Sequence, residues 1–191
     1  IKEDYVNLKK IINICYYGEI KEITLDVDKR AIHTFVEEDV TLIEILQGDN
    51  IDDDLFLNPD LNNSNFENYI NKDIKIIQYP RDEYELRISF GIIQEIHPLK
   101  NWYFSHNAST MKGSSGSPII LSGENQLVIG IHKSGDDTKI VNYGAFIGKV
   151  INDINNFYNN YFYLEIFVKY RFVKNEGNNN ISMISSSEIV N

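Results

Sequence analysis

The chain has 191 residues, a formal net charge of −10, a single cysteine and 42% hydrophobic residues, enough for a substantial core. So acidic a balance argues against a nucleic-acid backbone as partner, which requires a basic stripe, and equally against an anionic membrane surface. The lone cysteine excludes an internal disulfide, and no window approaches the roughly 18 apolar residues of a membrane helix.

Cys15 sits in the apolar strand-like run "IINICYYG". A thiol in that setting reads as a small buried hydrophobe rather than a nucleophile. Strand signals then follow one another: "KEITLDVD", "RAIHTF", "VTLIEIL", "DIKIIQYP", "ELRISFGIIQEI", "SPIIL", "QLVIGIH" and "YGAFIGKV". They are rich in β-branched and aromatic residues and broken by Asp, Asn and Gly, the pattern of a barrel or sandwich. The acidic, Asn-rich stretch from Gln47 to Lys72 reads as a loop joining two halves. One helix is expected in "VINDINNFYNN", where Val150, Ile151, Ile154 and Phe157 recur at helical spacing. "YFYLEIFVKYRFV" reads as strand again, and the polar end "KNEGNNNISMISSSEIVN" as an unstructured tail. No metal-ligand spacing, phosphate loop or repeat is present, so neither metal nor cofactor is expected.

The chemistry concentrates in "KGSSGSPII", Lys112 to Ile120. A serine hydroxyl attacks a carbonyl only when a base takes its proton, and the resulting oxyanion needs donors already aimed at it. Glycines allow a turn tight enough for successive backbone amides to converge. Gly113-Ser114-Ser115-Gly116-Ser117-Pro118 therefore suits an oxyanion turn around a central nucleophile, and equally suits an ordinary Gly/Ser loop before a strand.

The surrounding order decides between them. Ser109-Thr110 precedes the turn, Gly116-Ser117-Pro118 follows the central serine, Gly130-Ile131-His132 lies on the next strand, and "YGAFIGKV" leads into the closing helix. "EEDVTLIEI" and "DIKIIQYPRD" stand upstream in matching order. From about Lys21 to Phe157 the chain resembles the trypsin-like serine peptidases, and within them the bacterial glutamyl endopeptidases.

The resemblance implies an all-β fold of two antiparallel β-barrels, the first incomplete, with a C-terminal helix. Residues 1–71 would hold the remainder of the first barrel and the inter-barrel loop. Residues 72–158 would form the second barrel with its closing helix, and 159–191 a tail or the start of a further module. It implies Ser115 as nucleophile, the N–H groups of Gly113 and Ser115 as oxyanion hole, and Asp39 as the triad aspartate. Thr110, His132, Ser134 and Gly135 would line the pocket for the residue before the scissile bond, with Thr110 and His132 binding an acidic side chain. The implied partner is a peptide or protein substrate.

The histidine base is not found. Only His33 precedes Asp39, six residues away in "RAIHTFVEED", and an extended segment would hold the two roughly 20 Å apart. His33 reads as a barrel-surface residue, and His97 and His106 as strand residues. The expectation is a fragment beginning after the histidine motif and inactive by itself. On the same scaffold, a non-catalytic peptide-binding module is the alternative. A zymogen switch through Ile1 is rejected, because Ser114, just before the nucleophile, offers no charge for a new amine to pair with.

Overall fold

A computed structural model describes residues 11–16, 19–51, 56–62, 64–80, 85–123, 125–136, 141–161, 170–174 and 181–185. The chain divides into two units, one of Ile1–Phe56 with Val168–Asn191 and one of Leu57–Phe167.

Among the described residues, the first unit holds three antiparallel strand pairs. β1 (Ile11–Tyr16) pairs with β2 (Glu19–Thr24), and β3 (Ile32–Phe35) with β4 (Val40–Ile43). Cys15 sits on β1 opposite Ile20; its side chain lies outside what is described. The buried guanidinium of Arg30 organises the loop beyond β4. It donates to both carboxylate oxygens of Asp49, at 2.8 Å each, and to the carbonyls of Thr24 and Glu44. The third pair, β11 (Tyr170–Lys174) and β12 (Ile181–Ser185), takes in part of the polar end segment expected to be unstructured. Its short "ISMIS" run supplies enough β-branched character to pair.

The second unit is a closed six-stranded barrel. Its strands are β5 (Asp73–Gln78), β6 (Arg87–His97), β7 (Lys100–His106), β8 (Pro118–Leu121), β9 (Val128–Asp136) and β10 (Val141–Phe146). They run in the order β10-β7-β6-β5-β8-β9, closed by antiparallel pairing of β9 with β10. The expected all-β class with its C-terminal helix is what the structure has.

Strict alternation builds the interior. On β5, Ile74, Ile76 and Gln78 point inward and Asp73, Lys75 and Ile77 do not. Ile93, Phe104, Ile119, Ile129 and Phe146 complete the core, with Phe66 stacked on Phe146 at 4.4 Å. Two sequence expectations are corrected here. Of β7 only His106 is expected on a strand; the whole run from Lys100 is strand, with Phe104 and His106 buried and the opening Lys100 and Asn101 exposed. The strand signal in "YGAFIGKV" ends at Phe146, and Ile147 opens helix α1 (Ile147–Tyr161). Val150 and Ile154 bury one face of that helix, as their spacing predicts.

Candidate active site

The turn between β7 and β8 carries Ser115. Gly113 and Gly116 take φ of +95° and +92°, values that cost a residue with a side chain about 1–2 kcal/mol. The amides alternate in their use. Ser114 N donates to Met111 O (3.1 Å), Gly116 N to His132 O (2.8 Å) and Ser117 N to Ser114 O (3.0 Å). Among the described residues, the amides of Gly113 and Ser115 have no acceptor. The Ser115 side chain is exposed, and its hydroxyl donates to Lys133 O at 2.8 Å.

That carbonyl is available because of a β-bulge. On β9, Ser134 pairs with Tyr143 and His132 with Gly144, so the register steps over Lys133. Two backbone bonds, Gly116 N to His132 O and His132 N to Ser117 O, both 2.8 Å, lock this strand to the turn. The expected nucleophile and the expected pocket histidine are thus held side by side by main-chain geometry.

His132 is 3% exposed and points inward, where its Nδ1 lies 3.4 Å from Nε2 of the fully buried His106. The rings meet edge to face, with centroids 5.5 Å apart. Burial pushes the pKa of His132 down to about 4 and that of His106 down to about 3, and the His132 ring lowers His106 further. The Tyr143 backbone acts the other way on His132. Both imidazoles are therefore neutral at pH 7. His106 Nδ1 is buried without a full hydrogen bond. His106 does lie on a strand, as expected, but its place behind His132 was not foreseen; the alternation of "NWYFSH" from Phe104 inward is the signal that could have shown it.

Thr110 lies between β7 and the Ser115 turn. Its hydroxyl donates to Asn142 Oδ1 at 2.8 Å, while Asn142 Nδ2 donates to Ala108 O at 2.8 Å. The carbonyl of Ala108 can only accept, so the Asn142 amide has one orientation and Thr110 must be the donor. Gly135 closes this corner: a Cβ there would lie 2.5 Å from Asn142 Oδ1 and 4.0 Å from Thr110 Oγ1. Thr110, His132, Gly135 and the Ser115 turn belong to one unit and are grouped around one edge of the barrel. Ser134, beside Gly135 on β9, is exposed. Asn142 and Gln78, the latter bonded to Ser114, were not singled out from sequence.

Asp39 lies in the first unit. It ends the turn Val36–Asp39 with φ +52°, a conformation Asp tolerates, and leads directly into β4. Between His33 and Asp39 the chain is not extended: it doubles back in the β3–β4 hairpin. His33 pairs with Leu42, three residues beyond Asp39, or about 10 Å along the ladder. Burial lowers the His33 pKa. Among the described residues, no group of three or more His, Cys, Asp or Glu is placed to hold a metal ion, and no helix is long and apolar enough to cross a membrane.

No protein-family model matches the chain, and no curated protein matches it by sequence. Solved structures do. A mutant of the tobacco etch virus protease superposes with a TM-score of 0.54 at 13% identity, over 77% of this chain and 61% of that one. The serine protease of a human pathogenic astrovirus gives 0.50 at 16% identity, over 73% and 70%. The Rv3671c protease of M. tuberculosis, in an inactive form, gives 0.50 at 14%, over 77% and 72%. The fold is accordingly that of the chymotrypsin-like proteases, and the chain spans about three fifths of the tobacco etch virus enzyme's length.

Proposed function

We propose that the protein is a serine endopeptidase that works through an acyl-enzyme on Ser115 and prefers an acidic residue, Glu above Asp, before the scissile bond. One observation carries the reading: Ser115 sits between two left-handed glycines, in a turn where the amides of Ser114, Gly116 and Ser117 have backbone acceptors while, among the described residues, those of Gly113 and Ser115 have none. Two of the tobacco etch virus protease structures with this fold hold a product or a substrate, and a peptide is the partner proposed here.

In this reading Ser115 Oγ attacks the peptide carbonyl and gives its proton to an imidazole base, and Asp39 keeps the triad-aspartate role that the resemblance implies. No histidine of this chain is assigned to that imidazole. The oxyanion takes up the N–H groups of Gly113 and Ser115, each worth about 2.7–4 kcal/mol to the transition state. The same imidazole protonates the departing amine, and water then releases the acyl group from Ser115. A carboxylate entering the pocket draws the Thr110 hydroxyl away from Asn142, exchanging one hydrogen bond for another. It accepts a second bond from His132 and raises the pKa of that ring by its charge. Ser134 and Gly135 form the open side of this pocket.

A second reading has its own observation. The Ser115 hydroxyl donates to a backbone carbonyl, that of Lys133, which leaves its oxygen unactivated. On that ground a peptide-binding module without turnover is the alternative.

The test treats the protein in its natural full length with a fluorophosphonate, then with peptides differing only before the scissile bond: Glu, Asp, Gln, Lys, Phe and Ala. Labelling of Ser115 alone, fastest cleavage after Glu, and loss of that preference in His132→Ala are expected. Equal cleavage after Gln, Lys or Phe removes the acidic preference. Label on another serine removes the mechanism. Tight binding of the Glu peptide with neither label nor turnover leaves the binding module.

A further inference from the structure

We propose that Gln78 is a positioning residue for the oxyanion turn, its buried amide tying Ser114 to the segment that carries Thr110; this rests on the reading of that turn given above. Gln78 occupies the third inward position of β5, after Ile74 and Ile76, where alternation calls for an apolar side chain. It is 3% exposed. A primary amide buried without partners costs about 1–3 kcal/mol, so its presence there needs a reason.

The reason is a saturated set of hydrogen bonds. Oε1 accepts from Ser114 Oγ at 2.6 Å and from Met111 N at 3.3 Å. Nε2 donates to Ser109 O at 3.1 Å and to Ser89 Oγ at 3.3 Å. The orientation is not arbitrary, because Met111 N–H can only donate and Ser109 O can only accept. Ser114, 1% exposed, must then donate its hydroxyl to Gln78.

Ser114 is the residue whose peptide plane carries the Ser115 N–H. With its side chain held by Gln78 and its own N–H held by Met111 O, that plane has little freedom to rotate. The same amide grips Ser109 and Met111, on either side of Thr110. One neutral side chain thus couples the donor aimed at the oxyanion to the wall aimed at the substrate side chain, without an ionised group in the turn.

The test compares Gln78→Met, which keeps the volume and loses the hydrogen bonds, with Gln78→Glu, which keeps the acceptors. Amide hydrogen exchange on the full chain reads the turn without requiring activity. Faster exchange at Met111 and Ser114 in Gln78→Met is expected, with Ile76 and Ile119 unchanged. In hydrolysis, Gln78→Met should lose about 100-fold in kcat with KM within about threefold, the size of losing one oxyanion donor. Relative to wild type, Gln78→Glu should recover as pH falls, since only the protonated carboxyl can donate to Ser109 O. Unchanged exchange at Met111 and Ser114, or a loss expressed in KM alone, overturns the proposal. If the wild-type protein hydrolyses nothing, the peptidase reading fails while the exchange data still decide the role of Gln78.

Discussion

Acidification from pH 7 to pH 5 should weaken the barrel through His106 and His132. Both rings are buried neutral, with pKa values pushed down to about 3 and about 4. In the unfolded chain each titrates near 6.5. At pH 5 the unfolded state therefore binds nearly two more protons than the folded state at these sites. Stability rises with pH wherever the unfolded state binds more protons, so it is fully present above about pH 7 and is lost as pH falls through 6.5 toward 4. Each histidine would contribute at most about 2 kcal/mol over this interval. The pair should therefore account for roughly 2–4 kcal/mol. His33, its pKa also lowered by burial, adds in the same direction within the first unit. The assay is urea unfolding of the full chain at half-unit steps of pH, followed by the near-ultraviolet signal of Trp102 and its neighbouring tyrosines. His106→Gln should be less stable at pH 7 yet show about half the wild-type slope between pH 6.5 and 5. Equal slopes in the two proteins, or a wild-type stability flat across that window, would refute the argument that burial sets these pKa values.

Ser115→Ala should abolish fluorophosphonate labelling and any hydrolysis by the full-length protein while leaving the unfolding midpoint within about 0.5 kcal/mol, because the exposed hydroxyl bonds only one carbonyl. Gly135→Ala should push Asn142 off Thr110, since the new Cβ would lie 2.5 Å from Asn142 Oδ1; the expected readout is weaker discrimination between Glu and Ala peptides, and a preserved preference would show that the corner is dispensable. Arg30→Met should cost the first unit about 3 kcal/mol by stranding the carboxylate of Asp49, whose side chain is only 10% exposed, and exchange of the Leu46 amide should speed up with it. No change in that exchange would mean that Arg30 does not organise the loop.

Local patterning alone determined the class of fold and the order of most elements. Short β-rich runs separated by Asp, Asn and Gly can pair only with one another, and the 3.6-residue spacing of Val150 and Ile154 can only be helix. The same holds for the Gly113–Gly116 turn: a serine between two glycines needs no tertiary information to be noticed, because left-handed φ is a local demand. The start of β7 is harder to read, because Lys100 and Asn101 are polar and exposed; the alternation from Phe104 to His106 is the local signal that marks its inward face.

The partnerships inside the barrel belong to the tertiary structure. Gln78 and Ser114 are 36 residues apart, Thr110 and Asn142 are 32 apart, and His106 and His132 are 26 apart. Each pair meets because barrel closure brings the ends of different strands together, and no local period encodes that. The charge state of His132 was likewise beyond the sequence. It follows from how much water the surrounding strands exclude, and only their packing sets that.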